Sequence, residues 1–432
     1  MKILIKNIAE IHSAFSDIRK NQFIIIEDQI IKKIDGMDNL KKRNNYDYVI
    51  DADGKILLPG FINTHTHAAM TFMRGYADDM PLDKWLQDKI WPFESRLDSE
   101  DIYWGTALAV MEMIKTGTTT FSDMYFSMDR VAEIVEESGI RAVLAEGLIE
   151  ANDGQEGLNK ALKYALDYNQ TADGRITTML APHAPYTCGG DYLKQIKELA
   201  LKNNLPVHIH LSESKKEVKD FLDSYQSSPI KYLADFDFFD NQVLAAHCVN
   251  LEPGDLEILK NNDVQIAHNP MSNAKLANGI APVCEYLENG INVSLGTDGV
   301  SSNNSLDMLK EAKMASYLQK IKYEDPTAVD TAAILEILTI NGAEALALDK
   351  VGLIEEGYKA DLQLIDVKTE SFYYPHHNNL SNLFYAADTH SIDTVITDGK
   401  ILMENREFKT LDKEKIYYEA EKRSSKIAKS LA

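Results

Sequence analysis

The sequence predicts an α/β protein whose larger part is a (β/α)8 barrel of the TIM type, and three features support this fold class. Between residues 59 and 349, short β-branched apolar runs alternate with longer stretches of helical character, as repeated βα units require. Eight such runs occur, which is the number of parallel strands that closes a barrel. The chain also has 432 residues, 44% of them hydrophobic, which is enough for a barrel of about 250 residues and an accessory domain.

These runs place the barrel elements along the chain. The predicted strands are 61–67, 118–124, 141–148, 176–183, 206–211, 243–248, 264–269 and 292–298. The predicted helices between them include 99–116, 129–138, 190–203 and 252–261. Several of these helices begin with Ser, Asp or Glu near the first turn, as N-caps and the helix dipole favour.

The two ends of the chain differ in character from the barrel. Residues 1–58 and 350–432 contain short strands and turns, with hairpin signals of sequence DGK at 53–55 and 398–400. Neither end alone can bury much apolar surface, so we expect both to combine into one small β-sandwich beside a barrel domain at 59–349. The C-terminal segment has the pattern of a charged amphipathic helix.

The connection after the first predicted strand, residues 68–97, is far longer than the few residues typical of a βα loop. It contains Arg74, Trp85, Trp91 and Glu94. A lid or a substrate-recognition role is therefore predicted in preference to that of a passive linker.

Charge and composition bear on the partners and the location of the protein. The formal net charge is −22 with a pI near 4.9, which disfavours nucleic acid and anionic lipid and favours a neutral small substrate. The N-terminus lacks the pattern of a signal peptide, and no apolar run reaches the length of a membrane span. The three cysteines show no paired spacing, so a cytoplasmic location is predicted. The sequence leaves open whether copies of the chain form a homo-oligomer.

Histidines and one aspartate stand at the ends of predicted barrel strands, where such barrels carry their chemistry. These residues are His65, His67, His210, His247 and Asp298. Because residues i and i+2 of a strand face the same side, His65 and His67 both point into the barrel. Imidazoles and a carboxylate suit a divalent cation such as zinc and leave room for a water molecule. The sequence therefore predicts a metal-dependent hydrolase.

Each of these residues also has a purely structural interpretation. A single strand histidine is more often a core residue than a ligand, and Asp298 in GTDG could be a turn aspartate. Seven of the eleven histidines nevertheless lie in predicted barrel strands, and this concentration favours the metal site. His208 lies one layer deeper than His210 and is assigned a structural role, whereas His268 could contact substrate or hold its loop.

Motifs for competing chemistries are absent from the sequence. It contains no HExxH helix, no PCxxC pair of the cytidine-type deaminases, no GxSxG elbow and no phosphate-binding P-loop. Catalysis by a nucleophilic serine or cysteine therefore has no supporting constellation.

Five motifs, in this order and spacing, resemble the amidohydrolase superfamily. They are PGFINTHTHAAMTFMRG, HIHLSES, AHCV, AHNPMSN and LGTDG. They are most similar to the branch of aminohydrolases that includes deaminases of adenosine derivatives and the triazine hydrolases, and the similarity covers essentially the whole chain. It implies one divalent metal on His65, His67, His210 and Asp298, with zinc first and iron as the alternative. The fourth strand ends at His183 and not at a lysine, which disfavours a binuclear site.

The resemblance also implies three catalytic roles. Asp298 would take a proton from the metal-activated water, and Glu213 is similar to the acid/base group that protonates the substrate ring. A solvated surface position is the structural alternative for Glu213. His247 is similar to the histidine that polarises the reacting centre, although it could instead complete the coordination sphere.

For substrate contacts, the family pattern falls on three residues. These are Trp85 for stacking or as part of a lid, Glu94 for the ribose hydroxyls and His183 for the ribose or the ring. Each could otherwise be structural, as a packing aromatic, a solvated charge and a barrel-rim histidine. Glu94 is the strongest of them because a carboxylate can accept from two vicinal hydroxyls.

The chain departs from the family at positions that bear on substrate choice. Related deaminases usually carry arginine where this chain has Glu146, and often a second arginine in the loop where it has Gln155 and Glu156. Arginine suits a carboxylate partner and glutamate repels one. We therefore expect the homocysteine tail of S-adenosylhomocysteine to bind poorly.

The predicted function is hydrolytic deamination of an adenosine derivative, of the 5-methylthioadenosine, S-adenosylhomocysteine or adenosine type, to the inosine analogue and ammonia. Deamination or dechlorination of another heterocycle, such as guanine, a pterin or a triazine, is the first alternative. A catalytically silent metal-binding homologue is the second.

Overall fold

The computed structural model describes residues 1–16, 18–41 and 45–431. Its strands are β1 (Lys2–Ile11), β2 (Arg19–Glu27), β3 (Ile30–Gly36), β4 (Tyr48–Asp51), β5 (Lys55–Pro59), β6 (Phe61–Thr66), β7 (Thr118–Tyr125), β8 (Arg141–Leu148), β9 (Ile176–Thr178), β10 (Ala181–Pro182), β11 (Val207–Leu211), β12 (Val243–His247), β13 (Gln265–His268), β14 (Val293–Leu295), β15 (Leu362–Asp366), β16 (Ile392–Thr397), β17 (Lys400–Glu404) and β18 (Glu407–Phe408).

The helices follow the same order along the chain. They are α1 (Leu82–Trp85), α2 (Trp91–Glu94), α3 (Ser99–Lys115), α4 (Met128–Ser138), α5 (Glu150–Tyr168), α6 (Thr171–Gly174), α7 (Gly190–Asn203), α8 (Lys215–Tyr225), α9 (Pro229–Ala234), α10 (Asp255–Asn261), α11 (Pro270–Lys275), α12 (Val283–Glu288), α13 (Val300–Asn303), α14 (Met308–Tyr323), α15 (Thr331–Leu338), α16 (Ile340–Ala345), α17 (Asn379–Tyr385) and α18 (Lys413–Ser430). A π-helical turn, Leu86–Ile90, joins α1 to α2. Among the described residues no helix has both the length and the apolar character that crossing a bilayer requires.

Strands β6 to β14 form the barrel. Parallel pairing joins β6, β7 and β8 in order and then β8 to both β9 and β10, and it also joins β11 to β14 in order. A parallel bridge between Leu180 and Val207 links these two groups. On the other side the Asp298 amide donates to the His65 carbonyl at 2.9 Å. The ring is therefore closed, and the predicted (β/α)8 barrel is confirmed with its fourth strand divided into β9 and β10.

Two predicted elements differ from the structure by three residues at one end. The helix predicted from residue 252 begins at Asp255, because Pro253 and a left-handed Gly254 (φ 96°) form a turn before it. The strand predicted to reach residue 298 stops at Leu295. A Cβ at Gly296 would lie 2.7 Å from the His65 Cβ, so only glycine allows the chain to pass so close to the first strand.

The connection after β8 is helical where the sequence predicted a glycine-rich loop. Helix α5 begins at Glu150, and only Gly154 interrupts it, with φ 50° and ψ −150°. The long connection after β6 also contains helices, since α1, the π-turn and α2 run continuously through 82–94. Both connections thus present helical segments at the C-terminal rim of the barrel.

The two ends of the chain meet in one mixed sheet of nine strands. Its order is β18-β17-β16-β15-β5-β1-β2-β3, with β4 paired to β1. Buried isoleucines of β1 and β2 pack with Leu362 and Ile396 into one apolar cluster. The two ends of the chain therefore share one apolar core, as the predicted β-sandwich requires. Hydrogen bonds connect all nine strands into a single sheet. The predicted domain bounds, after residues 58 and 349, stay a prediction.

A buried ion network ties this sheet to the barrel. Arg141 at the start of β8 donates to Asp361 at 2.8 Å and to Asp398 at 2.9 Å. All three side chains are buried. The predicted C-terminal helix, α18, lies against α3, with Arg423 paired to Asp101 at 3.1 Å.

Candidate active site

Five polar residues converge at the C-terminal rim of the barrel. His65, His67 and Asp298 place ligand atoms within 4.8 Å of one another, and so do His65, His210 and His247. The Nε2 atoms of His67 and His210 are 3.3 Å apart. Asp298 Oδ1 lies 3.3 Å from His67 Nε2 and 3.5 Å from His65 Nε2. The residues predicted from four separate strand ends therefore form one cluster.

Two histidines of this cluster are oriented by hydrogen bonds at Nδ1, the ring nitrogen that points away from the cluster. His67 Nδ1 lies 2.6 Å from the Met124 carbonyl, and His210 Nδ1 lies 2.7 Å from the His183 carbonyl. Because a carbonyl only accepts, each Nδ1 donates, and the Nε2 lone pair is directed towards the cluster. Burial lowers the pKa of His65 to about 4 and that of His210 well below its ordinary value. His65 and His210 are therefore neutral, which is the form that binds a metal, whereas Asp298 raises the pKa of His67 to about 9 against the effect of burial.

The Nε2 atom of His65 provides a direct test of whether this donor set fits a metal. The side chain is fully buried, and its Nε2 has no hydrogen-bond partner among the described residues. Its Nδ1 lies 2.9 Å from His208 Nε2 in the layer below. This buried ring nitrogen faces two imidazoles and a carboxylate, and no described residue forms a hydrogen bond with it. Such a nitrogen is suited to binding a cation. The residues present therefore fit a divalent metal.

Two serines fix the aspartate of the cluster. Asp298 Oδ2 accepts from Ser272 Oγ at 2.7 Å and from Ser302 Oγ at 3.0 Å. Burial opposes its ionisation, but the imidazoles of His65 and His67 beside it hold the pKa of Asp298 well below its ordinary value. The backbone at Asp298 is left-handed, with φ 60°. The chain therefore leaves the extended conformation of the preceding strand at this residue, and the carboxylate points into the cluster.

Glu213 faces the same cluster from the segment after β11. Its Oε1 accepts from Asn278 Nδ2 at 2.8 Å, and its Oε2 lies 3.9 Å from His247 Nε2. Burial raises the pKa of Glu213 above its ordinary value, so that a proton is held more readily than on a surface glutamate. His247 Nδ1 lies 2.9 Å from Asn273 Oδ1. Because the Glu213 side chain is buried, the solvated surface position that the sequence analysis considered for it is excluded.

A cavity of about 720 Å³ opens above these residues. Its wall includes His67, His210, His247, Glu213 and Asp298, together with Trp85, Glu94, His183 and Glu146. The three predicted substrate contacts thus line the same space as the predicted catalytic residues. Trp85 and Trp91 both line it, and Trp85 is held by its indole Nε1, which donates to the Ala77 carbonyl at 3.1 Å.

Two of these wall residues are oriented by neighbours. Tyr125 OH donates to Glu94 Oε1 at 2.7 Å, and burial raises the pKa of Glu94. His183 Nδ1 lies 3.0 Å from Thr187 Oγ1. Both side chains are thus held in place at the cavity wall before any ligand arrives.

The structure places the remaining residues singled out in the sequence as follows. Glu146 lines the cavity and is paired through Oε1 with Lys160 Nζ at 2.5 Å, while Glu156 is exposed on α5. His208 supports His65 from below, in agreement with its structural assignment. His268 is buried in β13, and neither of its ring nitrogens has a hydrogen-bond partner among the described residues.

Apart from His208, the residues that support the site were given no role in the sequence analysis. Ser272 and Asn273 lie within the AHNPMSN motif, but they were not assigned to Asp298 and His247. Tyr125, at the end of β7, and Asn278 were also missed. The only available signal was that polar residues cluster just after strand ends at this rim.

A closed (β/α)8 barrel with histidines and an aspartate converging at its C-terminal rim defines a class of barrel hydrolases. The amidohydrolase family profile matches residues 56–402, and the chain belongs to this family. It is 53% identical over 424 residues to a 5-methylthioadenosine/S-adenosylhomocysteine deaminase of Halothermothrix orenii, covering 98% of each chain.

Solved structures agree with this assignment. An adenosine deaminase from Xanthomonas campestris with bound zinc superposes with a TM-score of 0.93 at 31% identity and covers 98% of both chains. An atrazine chlorohydrolase from Arthrobacter aurescens complexed with zinc, 22% identical with a TM-score of 0.88, covers 99% of this chain and 100% of its own. This second likeness concerns the fold alone.

Proposed function

We propose that this protein hydrolytically deaminates an adenosine derivative to the inosine analogue and ammonia. The observation that carries the proposal is the buried Glu213 carboxyl, 3.9 Å from His247, in the same cavity as the histidine and aspartate cluster. This arrangement combines a metal-type donor set with a proton donor that faces the reacting ring. The deaminase relative of Halothermothrix orenii, similar over nearly the whole chain, supports the same reaction.

The proposed metal is one divalent ion per chain, zinc first and iron as the alternative, held by His65, His67, His210 and Asp298. A metal bound there lowers the pKa of a water molecule and so supplies the nucleophile. Three imidazoles and a carboxylate suit both metals. The zinc in the adenosine deaminase of Xanthomonas campestris supports zinc as the first candidate.

The proton transfers are assigned to Asp298 and Glu213. The water oxygen bonds to C6 of the adenine ring while Asp298 accepts one of its protons and Glu213 donates a proton to N1. The C6–N bond then breaks, and the amino group leaves as ammonia with the proton that Asp298 held. The remaining hydroxyl proton returns to Glu213 as the C6 carbonyl forms, so both carboxyl groups regain their starting states.

The residues around these two carboxyl groups hold them for this exchange. Ser272 and Ser302 bond one oxygen of Asp298, which leaves Oδ1 on the side of the cluster. His247 is proposed to hold the attacking oxygen, with its ring fixed by Asn273. Completion of the coordination sphere by His247 is the alternative, since its ligand atom lies within 4.8 Å of those of His65 and His210.

The wall of the cavity is proposed to bind the nucleoside. Glu94 accepts from the ribose hydroxyls, Trp85 stacks on the base or covers it, and His183 contacts the ribose or the ring. A carboxylate suits two vicinal hydroxyls because its two oxygens can accept both. Glu94 is the reason for preferring a nucleoside over a free base or a triazine.

The distal part of the cavity is proposed to favour a neutral 5′ substituent. Glu146 contributes a carboxylate to the wall, and the described residues that line the cavity include no lysine or arginine. Lys160 pairs with Glu146 from outside and has a side chain that is 66% exposed. The cavity thus offers no cation to a substrate carboxylate, so methylthioadenosine, 5′-deoxyadenosine or adenosine should be preferred to S-adenosylhomocysteine.

The test is ammonia release by the purified, zinc-loaded protein from a panel of substrates. The panel contains adenosine, 5′-deoxyadenosine, methylthioadenosine, S-adenosylhomocysteine, guanine and a triazine, with the E213Q variant as a control of strongly reduced activity. Preference for the neutral nucleosides is the expected result. Activity on free bases or triazines alone would remove Glu94 from its ribose role, and no turnover of any compound despite bound metal would point to a silent homologue.

A further inference from the structure

A second glutamate holds the segment that carries Glu213. Glu217 is buried on the first turn of α8, and its carboxylate turns back towards β11. Its Oε1 accepts from the Ser212 amide at 3.1 Å and its Oε2 from the Glu213 amide at 2.7 Å. Both carboxylate oxygens are therefore engaged by the backbone of two successive residues.

This contact differs from an ordinary capping box. Ser214 is the N-cap of α8 and accepts from the Glu217 amide at 3.1 Å. In a capping box the side chain at the third helical position returns to the amide of the N-cap residue itself. Glu217 instead reaches past Ser214 to the two residues before it, which do not belong to the helix. Its hydrogen bonds therefore fix the connection between β11 and α8.

The carbonyl groups of Ser212 and Glu213 are fixed as well. The Ser212 carbonyl accepts from the amides of Val249 and Asn250, each at 3.0 Å. The Glu213 carbonyl accepts from Asn250 Nδ2 at 2.7 Å. Ser212 has left-handed backbone geometry, with φ 49°, a conformation that is unfavourable for a serine unless its surroundings impose it.

We infer that Glu217 is a positioning residue that holds the backbone of Ser212 and Glu213 so that the Glu213 carboxyl faces the reacting ring. The inference rests on the proposed role of Glu213 as the proton donor. Glu217 is not among the described residues that line the cavity, so it acts through Glu213 and does not touch substrate. Displacing a catalytic group by about 1 Å can cost about 100-fold in rate.

The helix α3 provides a matched control. Asp101 is a buried carboxylate at the third position of α3, and it accepts from the amide of its N-cap residue, Asp98, at 3.0 Å. Replacing Asp101 therefore removes a buried carboxylate at a helix start, together with its pairing to Arg423, without touching the segment after β11. Variants E217A and D101A separate loss of a helix cap from loss of positioning. E217Q, which keeps one acceptor oxygen and the side-chain volume, serves if E217A does not fold.

The kinetic test measures kcat, KM and metal content with the nucleoside that the wild-type protein deaminates. We expect E217A to lose about 100-fold in kcat, with metal content retained and KM little changed, and E217Q to lose less. D101A should keep its kcat. Addition of E217A to the E213Q variant should lower the residual rate no further, because residues that act as one unit are not additive. A full further loss in the double variant, or an unchanged kcat in E217A, would overturn the inference.

Amide hydrogen exchange provides a readout that needs no turnover. The amides of Ser212 and Glu213 should exchange faster in E217A and E217Q than in D101A, because their acceptors are lost or reduced. Equal exchange in all variants would refute the positioning role whatever the activity. If the wild-type protein released ammonia from no compound of the panel, the proposed function would fail, while the exchange result would still decide whether Glu217 holds this segment.

Discussion

The Nδ1 atom of His65 lies 2.9 Å from Nε2 of His208, so that one layer of the barrel orients the layer above it. Both side chains are fully buried. His65 is a proposed ligand, and His208 is two residues before another one, His210. Because strand side chains alternate, the deeper histidine of β11 can reach a ligand on β6, across the barrel interior, but not the cluster itself.

The first prediction concerns this pair. H208L introduces an apolar side chain of similar size and removes the hydrogen bond that orients His65. Loss of such an outer partner typically costs about 10- to 100-fold in metal affinity or activity. Zinc titration with a competing chelator should show weaker binding in H208L. The control is H268L, which also replaces a buried barrel histidine and should bind zinc as tightly as the wild-type protein.

The second prediction separates the two roles considered for His247. In H210Q, a proposed ligand is lost, and the bound metal measured after dialysis should fall. In H247Q, metal content should stay near that of the wild-type protein, while kcat falls by about 100-fold or more, as for loss of a group that stabilises developing charge. Loss of metal from H247Q as complete as from H210Q would show instead that His247 is a ligand.

The third prediction concerns the support of Glu94. Y125F removes the hydroxyl that donates to Glu94 at 2.7 Å. Since a hydrogen bond to a charged group contributes about 1.5–3 kcal/mol, the KM for an adenosine nucleoside should rise by roughly tenfold or more. Y164F, which removes a buried hydroxyl bonded to the Met128 carbonyl, is the matched control. An equal KM in both variants would contradict the role of Glu94 in binding ribose.

The fourth prediction concerns the link between the barrel and the nine-stranded sheet. R141M leaves Asp361 and Asp398 buried without their shared arginine. Breaking a buried ion pair from one side costs about 3–5 kcal/mol, so the free energy of unfolding in urea should fall by about that amount. K216M breaks the exposed pair with Asp220 and should cost less than about 1 kcal/mol. Similar losses in both variants would mean that the buried network contributes little.

The fifth prediction concerns the pH dependence of stability at Glu311. This side chain is fully buried on α14, where it accepts from the Met271 amide and from Asn303 Nδ2, and burial raises its pKa well above the ordinary 4.5. A raised pKa means that the folded state binds the proton more tightly than the unfolded state. The stabilisation is therefore present below about pH 4.5 and is lost as the pH rises through the folded pKa.

The E311Q variant has no such titration. The difference in Tm between E311Q and the wild-type protein should therefore shift in favour of the variant between pH 5 and pH 8. E198Q, which replaces an exposed glutamate of α7, should show no shift. A difference in Tm that is constant across this range would contradict the raised pKa of Glu311.

Much of the barrel could be predicted because its signal is local. Each strand is an apolar run with a length and a composition that differ from those of the helices, and each of the eight predicted runs contains a barrel strand. The errors lie at the ends of elements. Strand β14 stops at Leu295 because Gly296 passes against His65, and that neighbour is known only once the barrel has closed. The family resemblance contributed the roles of the cluster, which spacing alone would not have given.

The sequence by itself determined which residues reach the rim, because the two-residue period of a strand and the direction of a parallel barrel place His65, His67 and His210 at strand ends and Asp298 shortly after one. Only the tertiary structure decided what holds them there. Ser272 bonds Asp298 across 26 positions of sequence and Asn278 bonds Glu213 across 65. Such pairs depend on loop conformations, including the left-handed backbone at Asp298, that the packing of the whole barrel stabilises and that no local pattern encodes.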